Sequence, residues 1–458
     1  MDAHRTADGA SQRLHATRPR PDRVFLVGAE LTDTPESWPA EDSLGELELL
    51  AETDGLEVVG STYQRLKRPN ARFYIGSGKV AEIAELRERL RYDVVIFDDE
   101  LTPSQARNLE EALDTPVLDR TGLILDIFAQ HAHTHEGRIQ VELAQYNYML
   151  PRLRGRGGGR QVSASGTAAG GVVGLRGPGE TQLELDRRRI RGRIADLHTQ
   201  LEEVRQQREL YRRQRRESGV PIIALVGYTN SGKSTLLNAL TTGGVAAQDR
   251  LFETLDPTTR QLDLPGGRQV LLTDTVGFIQ KLPTQLVAAF RATLEEIHDA
   301  DLLLHVVDVT HPQAGAQAQV VRATLEELHA GKQPTQTVLN KIDELEEVDA
   351  AQLTRQSAEM GMDDGFIAIS ARHGWNLDVL LRRIEELLAQ SLLPAEALIP
   401  YSRGDLVAQW RERGLVEQEE HRAEGSYLVG RVPASLAAAL EPFRTRRERY
   451  REVGRSKK

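Results

Sequence analysis

The chain has 458 residues, a formal net charge of −10 at pH 7 and no cysteine. Its length leaves room for about three domains that each bury a core. The lack of cysteine excludes disulfides, thiolate metal sites and cysteine nucleophiles. No apolar run approaches the roughly 18 residues that a membrane-spanning helix requires, and the Arg-, Asp- and Pro-rich start lacks a signal-peptide core. We therefore expect a soluble, cytoplasmic protein without a membrane span.

The N-terminal region alternates apolar runs with helical patterns. Residues 1–22 are predicted to be a disordered arm, with a transit peptide as an alternative that the acidic residues disfavour. The expected strands and helices that follow cover, in order, residues 23–28, 44–52, 56–60, 80–90 and 92–97. Such alternation is typical of a small parallel α/β domain. Gly76-Ser77-Gly78-Lys79 has the wrong spacing for a phosphate loop, so we interpret it as a tight turn into a helix, with a second nucleotide or RNA contact left open.

From Thr121 onward the pattern becomes helical. Apolar residues recur at spacings of four and three, which predicts a helix that packs against a partner; they are Ile190, Ile194, Leu197, Leu201 and Val204. Residues 139–153 are the expected partner, with apolar positions Val141, Leu143, Tyr146, Met149 and Leu150. The two helices would form a hairpin. Its connection, residues 155–174, is rich in Gly and Arg and could enter a crevice in structured RNA, or could be a solvated linker.

Positive charge is concentrated in this hairpin and at the C-terminus. Residues 151–219 contain 16 Arg, no Lys and 8 Asp or Glu, and the last fifteen residues are again Arg- and Lys-rich. Positive patches on an acidic protein indicate localised contact with a polyanion.

Three histidines, His131, His133 and His135, raise the question of a metal site, because residues four apart share a helix face. No carboxylate or fourth ligand is spaced to complete such a site. We therefore favour solvated or capping histidines.

An eight-residue motif defines the ligand class of the next region. Its residues are Gly227, Tyr228, Thr229, Asn230, Ser231, Gly232, Lys233 and Ser234, in the spacing G-x-x-x-x-G-K-[ST]. An apolar run precedes it and a helical pattern that opens with Ser234 and Thr235 follows it, which is the context of a phosphate-binding loop. We expect its N–H groups and helix N-terminus to hold phosphates, Lys233 to reach the β- and γ-phosphates, and Ser234 to bind Mg²⁺.

A second motif, D-x-x-G, ends an apolar strand; its residues are Asp274, Thr275, Val276 and Gly277. It would place a carboxylate near Mg²⁺ and the Gly277 N–H near the γ-phosphate. The next residue is Phe278. Many GTPases that share these two motifs carry a Gln at this position, and the Gln orients the attacking water. Because a phenyl ring cannot do this, we expect slow hydrolysis by the isolated protein and completion of the site by another residue or a partner.

Two further motifs predict a guanine pocket, Asn340-Lys341-Ile342-Asp343 and Ser370-Ala371-Arg372. The Asp343 carboxylate can accept hydrogen bonds from both N1–H and the 2-amino group of guanine, and adenine offers neither donor. A backbone N–H of residues 370–372 would contact guanine O6. In this order after a phosphate loop, the motifs predict GTP and GDP binding.

A Thr-rich segment lies where a loop that closes on the γ-phosphate is expected, and its residues are Phe252, Glu253, Thr254, Leu255 and Asp256. Thr254 is the predicted second Mg²⁺ hydroxyl, beside Ser234 and Asp274, with Thr258 and Thr259 as competitors that could equally lie in a plain surface loop. Lys233, Thr254 and Gly277 are the predicted catalytic residues. Asn230 stands where related GTPases bind a monovalent cation, so K⁺ is a second candidate cofactor.

The sequence resembles the HflX ribosome-associated GTPases of the Obg-HflX-like superfamily, over roughly residues 23–372. The resemblance rests on residues 136–145, 174–188, 227–234 and 252–256, and Phe278 also suits that group. Gln130 and His131 depart from it, since members usually carry a basic residue there. The resemblance implies an α/β fold: a small parallel α/β domain (23–120), a helical hairpin (121–218), a Ras-like P-loop GTPase domain (219–393) and a small C-terminal α/β domain with a basic tail (394–458).

The implied function is GTP-dependent binding to the large ribosomal subunit and splitting or rescue of stalled or hibernating ribosomes, with the hairpin tip near the peptidyl transferase centre. GTP hydrolysis would drive release, and we expect a monomer. Two alternatives remain at this stage: a GTP-regulated signalling switch acting on a protein partner, or a ribosome assembly factor. An RNA-remodelling ATPase is disfavoured by the guanine pocket.

Overall fold

The computed structural model describes residues 22–33, 38–153, 182–218, 220–241, 251–252, 257–281, 297–328, 330, 333–345, 365–390 and 392–444. The chain divides into two compact units, residues 1–119 and 120–458. Within the described ranges, no helix combines the length and the apolar character needed to cross a membrane.

The first unit is a parallel α/β layer. Its elements are β1 (Arg23–Leu31), α1 (Ala40–Thr53), β2 (Glu57–Leu66), α2 (Ser77–Leu90), β3 (Val94–Phe97), α3 (Pro103–Leu113) and β4 (Val117–Asp119). The described strands pair in parallel in the order β2-β1-β3-β4, so each connection needs a crossover helix. Helix α3 begins with a capping box in which Thr102 and Gln105 exchange hydrogen bonds. Helix α3 and strand β4 were not expected from the sequence.

The Gly76–Lys79 segment starts helix α2. Gly76 is the N-cap residue, and its N–H donates to Gln64 Oε1 at 2.8 Å. The Lys79 ammonium donates to Thr62 Oγ1 and pairs with Glu82. The segment is thus a turn into a helix, as predicted, although the helix begins two residues before Lys79.

The second unit opens with helices α4 (Arg120–His131), α5 (His135–Met149) and α6 (Gln182–Ser218). The last has 37 residues and a length of about 55 Å at 1.5 Å per residue. The apolar contact between α5 and α6 joins residues from both predicted sets, namely Ile139, Leu143, Tyr146, Ile194, Leu197 and Leu201. The hairpin pairing was therefore predicted correctly. Met149 does not belong to the contact, because it is 39% exposed near the end of α5.

Ion pairs fix the register of the hairpin. Arg193 on α6 donates two hydrogen bonds to the Glu142 carboxylate on α5, at 2.8 and 2.9 Å. Further along α6, Arg208 pairs with the mostly buried Glu136 of α5 at 2.7 Å. Since residue numbers rise on α6 as they fall on α5, the two helices are antiparallel. Part of the arginine excess of α6 is thus used within the hairpin itself.

A mixed six-stranded sheet follows. Its elements are β5 (Ile222–Gly227), α7 (Lys233–Leu240), β6 (Thr258–Asp263), β7 (Gln269–Asp274), β8 (Leu302–Asp308), α8 (Ala314–Glu327), β9 (Thr335–Asn340), β10 (Phe366–Ala368) and α9 (Leu377–Gln390). The described strands have the order β10-β9-β8-β5-β7-β6, parallel except for β6. The carboxyl ends of β5, β7, β8 and β9 therefore meet at one edge, where ligands of parallel sheets bind.

The C-terminal part is an antiparallel sheet with helices. Its elements are β11 (Leu393–Ile399), α10 (Gly404–Arg413), β12 (Leu415–Arg422), β13 (Gly425–Val432) and α11 (Ala434–Leu440), and the described strands have the order β11-β13-β12. Trp410, fully buried, packs in a core with Leu428 and Leu436. From the sequence, residues 405–413 and 434–440 are expected to be helices and residues 415–420 and 427–432 strands; the structure has all four elements and adds β11.

Candidate guanine-nucleotide site

The phosphate loop connects buried strand β5 to helix α7, and its backbone requires glycine at two positions. Gly232 precedes the helix with φ +92°, a left-handed conformation that L side chains rarely adopt. A Cβ there would collide with Asn340 Nδ2. A Cβ on Gly227 would collide with the backbone oxygen of Val306 on the neighbouring strand. The loop is therefore pressed against β8 and the Asn340 side chain.

Two hydroxyls in this loop are buried without a partner within the described part of the chain. They are Thr229 Oγ1 and Ser231 Oγ, and both residues are at most 6% exposed. Buried hydroxyls in native structures nearly always form hydrogen bonds. A polar ligand bound in the loop would supply the missing hydrogen-bond partners. The oxygens of a phosphate group are suited to this.

Lys233 is the buried cation of the loop. Its ammonium donates to the backbone oxygens of Gly227 and Tyr228 at 3.2 and 2.7 Å. Burial lowers its pKa to about 8, and the negative charge of Asp274 opposes this shift. A partly desolvated ammonium held by the loop carbonyls is placed to exchange them for phosphate oxygens.

Ser234, in the first turn of α7, meets Asp274 at the carboxyl end of β7. The register pairs Leu225 with Asp274, and the Ser234 hydroxyl donates to Asp274 Oδ2 at 2.7 Å. A hydroxyl and a buried carboxylate are oxygen ligands of the kind that Mg²⁺ binds, so the residues present fit this ion. A bound Mg²⁺ would neutralise charge on the β- and γ-phosphates. Thr254 lies outside the described residues.

The D-x-x-G segment is joined to the phosphate loop by backbone hydrogen bonds. Phe278 N–H donates to Gly227 O at 3.1 Å, and Thr229 N–H donates to Phe278 O at 2.8 Å. A Cβ on Gly277 would lie 2.8 Å from Thr229 Cα and 3.1 Å from Lys233 Nζ, so a side chain has no room there. Gly277 therefore lies adjacent to Lys233.

Asn340 connects the base motif to the phosphate loop. Its side-chain N–H donates to Ser231 O at 2.9 Å, and its Oδ1 accepts from Ala371 N–H at 3.0 Å. The Ser370 N–H donates to Trp375 O. Among residues 370–372, the Arg372 N–H is therefore the remaining candidate donor for guanine O6.

Lys341 and Asp343 follow Asn340 in a short turn. Lys341 has φ +67°, and its ammonium pairs with Asp308 Oδ2 at 2.7 Å, at the end of strand β8. Asp343 lies in the 3-10 turn Ile342–Glu344, and its side chain is 8% exposed. A largely buried carboxylate at this edge is suited to accept the two donors of guanine.

The structure adds residues that the sequence reasoning missed. Asp308 closes the apolar run of β8, a position that could have been noticed because it parallels Asp274 at the end of β7. His305, buried on the same strand, has its pKa lowered to about 4, chiefly by burial and also by Arg322 and Lys233, so its ring is neutral. His373 contacts Asp343, and no local pattern in the sequence indicates this.

The segment before Thr254 begins with a strained, buried residue. Phe252 has φ +58° and is 2% exposed, and its ring meets Phe128 of α4 edge-on with centroids 4.7 Å apart. Residues 253–256 lie outside the described ranges. Thr258 and Thr259 lie on strand β6, where Thr259 bonds Thr273, so the alternative of a surface loop was wrong for them.

The predicted RNA contacts fall mostly outside the described residues, which stop at 153 before the Gly- and Arg-rich loop and at Arg444, the first residue of the basic tail. At the described edge of the loop, the Arg152 guanidinium stacks on Tyr148 at 3.7 Å from the ring centroid.

The three histidines do not share one helix face. Helix α4 ends at His131, whose Nδ1 bonds Ile127 O, and α5 begins at His135. Within the described ranges, no cluster of His, Asp or Glu suited to a metal ion is found.

Comparison with known proteins assigns the chain to a family. Residues 41–129 match the family described as "GTP-binding GTPase N-terminal", residues 131–215 match "GTP-binding GTPase Middle Region", and residues 222–341 match "50S ribosome-binding GTPase". A GTP-binding protein from Sulfolobus solfataricus, solved with GDP, is 26% identical and aligns over 81% of this chain and 99% of its own, with a TM-score of 0.42.

Two curated relatives cover almost the whole chain. The protein named GTPase HflX of Caldanaerobacter subterraneus subsp. tengcongensis is 46% identical over 422 residues, which span 92% of this chain and 94% of the relative. GTPase HflX of Escherichia coli (strain K12) is 42% identical over 393 residues, 86% of this chain and 90% of the relative. The chain therefore belongs to the HflX family of GTPases and is a GTP hydrolase.

Proposed function

We propose that this GTPase binds the large ribosomal subunit in its GTP state, splits or rescues stalled or hibernating ribosomes, and is released when GTP is hydrolysed. The observation that carries the ribosomal partner is the match of residues 222–341 to the family described as a 50S ribosome-binding GTPase. The arginine-rich hairpin supports it, since guanidiniums suit the phosphates and bases of RNA.

The nucleotide would be held at both ends. We infer that Lys233, Ser234 and the loop N–H groups hold the phosphates and that Asp343 selects guanine. Asn340 forms hydrogen bonds to both the phosphate loop and the 370–372 segment. A shift of the base-binding segment would therefore also shift the phosphate loop. Mg²⁺, held by Ser234, Asp274 and Thr254, is the proposed cofactor, and K⁺ beside Asn230 is a further proposal.

Communication with the hairpin would start at Phe252. This residue precedes Thr254 by two positions, and its ring packs on Phe128 of α4, which is followed directly by α5. Closure of residues 252–256 on the γ-phosphate would therefore act on a helix that leads into the hairpin. A γ-phosphate contact that orders a loop is a common way in which GTPases switch.

Hydrolysis by the isolated protein is proposed to be slow. Phe278 is 3% exposed, and its side chain carries no group that could orient water. The ribosome would supply or reposition the missing group. Water attack then yields GDP and inorganic phosphate, and loss of the γ-phosphate removes the contact to Gly277.

A pelleting assay with purified large subunits tests the partner. We expect co-sedimentation with a non-hydrolysable GTP analogue, little with GDP, and loss of binding after deletion of residues 155–174. The same samples, mixed with whole ribosomes on a sucrose gradient, should show subunit separation. Equal pelleting with GDP and the analogue would reject the GTP-state requirement, and pelleting by the deletion variant would reject the role of the hairpin loop.

A further inference from the structure

The guanine-recognising carboxylate has a neighbour in the structure. His373 Nε2 lies 3.5 Å from Asp343 Oδ2, and the Asp343 side chain is 8% exposed whereas that of His373 is 52% exposed. An imidazole donates from Nε2–H either as the protonated ring or as the corresponding neutral tautomer. An N–H donor this close to Oδ2 can therefore restrain the orientation of the carboxylate.

Such a neighbour is useful because the terminal torsion of Asp is soft. Rotation of the carboxylate about χ2 is broad and roughly two-fold, so the rotamer alone does not set its plane. Guanine presents N1–H and the 2-amino group side by side, and both bonds form well only when the two carboxylate oxygens face them together. Each oxygen has two lone pairs, so Oδ2 can accept from His373 and from guanine at the same time.

The backbone holds His373 in place. Ser370 and Trp375 exchange two backbone hydrogen bonds, at 3.3 and 3.1 Å, which close a loop of the four residues between them. Gly374 completes this loop with φ +74°, and the His373 N–H donates to Ser370 Oγ at 3.0 Å. The same loop carries Ala371, which bonds Asn340, so its position relative to the base motif is fixed.

The imidazole ring is also held from its side. It stacks on the Trp375 indole with centroids 5.5 Å apart and an angle of 29° between the planes. Both rings are about half exposed, so neither belongs to the core of the domain. A contact made by a half-exposed side chain outside the core contributes little to stability, so its effect should appear in the base recognition by Asp343.

We propose that His373 is a positioning residue that determines guanine specificity, by holding the Asp343 carboxylate in the plane that accepts both N1–H and the 2-amino group. The contact of His373 is with the carboxylate of the base motif. Its contribution is therefore to base selection. The proposal depends on the guanine pocket and is independent of the ribosomal partner.

The test compares two nucleotides by calorimetry on the full chain without ribosomes. GDP offers both donors, and inosine diphosphate lacks the 2-amino group and so places a weaker demand on carboxylate orientation. His373→Ala should weaken GDP binding about five- to tenfold and inosine diphosphate binding by less than about twofold, from the usual net size of a single hydrogen bond. His373→Gln, which retains an N–H donor, should recover most of the preference, and the melting temperature should not change in either variant.

Two further variants keep the outcomes separate. Trp375→Ala removes the stacking partner and should reduce the same preference by a smaller factor. Asp343→Asn should abolish the preference for GDP altogether. An unchanged ratio of GDP to inosine diphosphate affinity in His373→Ala, alongside the loss in Asp343→Asn, would overturn the positioning role while leaving the pocket intact. Retained preference in Asp343→Asn would overturn the pocket and the proposal with it.

Discussion

GDP affinity should fall as pH rises through about 8, because Lys233 is the buried cation of the phosphate loop. Burial lowers its pKa to about 8 in the nucleotide-free protein. Phosphate oxygens favour the protonated form, so the pKa is higher in the complex. Above pH 8 the free protein has lost the proton that the complex needs, and binding must take one up. Affinity is thus constant well below the pKa of the free protein and decreases above it.

The size of the effect follows from the protonated fraction. With a pKa of about 8, that fraction falls from about 0.9 at about pH 7 to about 0.24 at about pH 8.5, which weakens GDP binding about fourfold. This pH window starts above the usual pKa range of the terminal phosphate of GDP and ends below the pH at which guanine N1–H ionises. Calorimetric titrations at constant ionic strength and constant Mg²⁺ concentration would measure it.

Lys233→Arg is the matched control, since a guanidinium stays charged throughout this range. Its affinity for GDP is expected to be lower, because the fork shape does not fit between the loop carbonyls, but to be independent of pH. A flat profile for the wild-type protein, or a wild-type slope that persists in Lys233→Arg, would refute the argument that a desolvated Lys233 controls the pH dependence.

Three other substitutions follow from the geometry. Gly232→Ala places a methyl group against Asn340 Nδ2 at a positive φ, so GDP affinity measured by calorimetry should fall more than about tenfold, and near-normal affinity would contradict the tight contact. Asp308→Asn removes the charge opposite Lys341 while keeping an acceptor for Thr310, so GDP affinity should drop about threefold to fivefold; an equal affinity would mean that the ion pair does not position Lys341. Phe128→Ala opens a cavity beside Phe252 and should lower the free energy of unfolding by about 3 kcal/mol in chemical denaturation, whereas Phe128→Leu should cost less; equal costs would argue against the ring contact.

The part of the nucleotide site that is formed by consecutive residues could be predicted from the sequence. Gly227 to Ser234 sits between an apolar strand and a helix, and the structure has both elements at that place. The hairpin was also predictable, because Ile194, Leu197 and Leu201 repeat at helical spacing and meet the apolar face of α5. In these cases a local pattern alone specifies the element.

Other elements gave no such signal. Strand β4 has three residues, too few for an alternating pattern, and its pairing with β3 depends on the sheet already being formed. Helix α3 is largely polar, with Leu109 and Leu113 as its buried anchors, and its start is defined by the Thr102 cap more than by periodicity. The ion pair of Asp308 with Lys341 joins neighbouring parallel strands far apart in sequence, so only the sheet order reveals it.

The two backbone hydrogen bonds that join residue 278 to the phosphate loop use main-chain atoms only. Any amino acid other than proline could make them. A substitution at this position therefore keeps both hydrogen bonds to the phosphate loop available. Under the role in water attack proposed for this position, turnover speed and nucleotide retention would depend on different atoms of one residue, and a substitution there would change the lifetime of the GTP state without changing the backbone contacts of the phosphate loop.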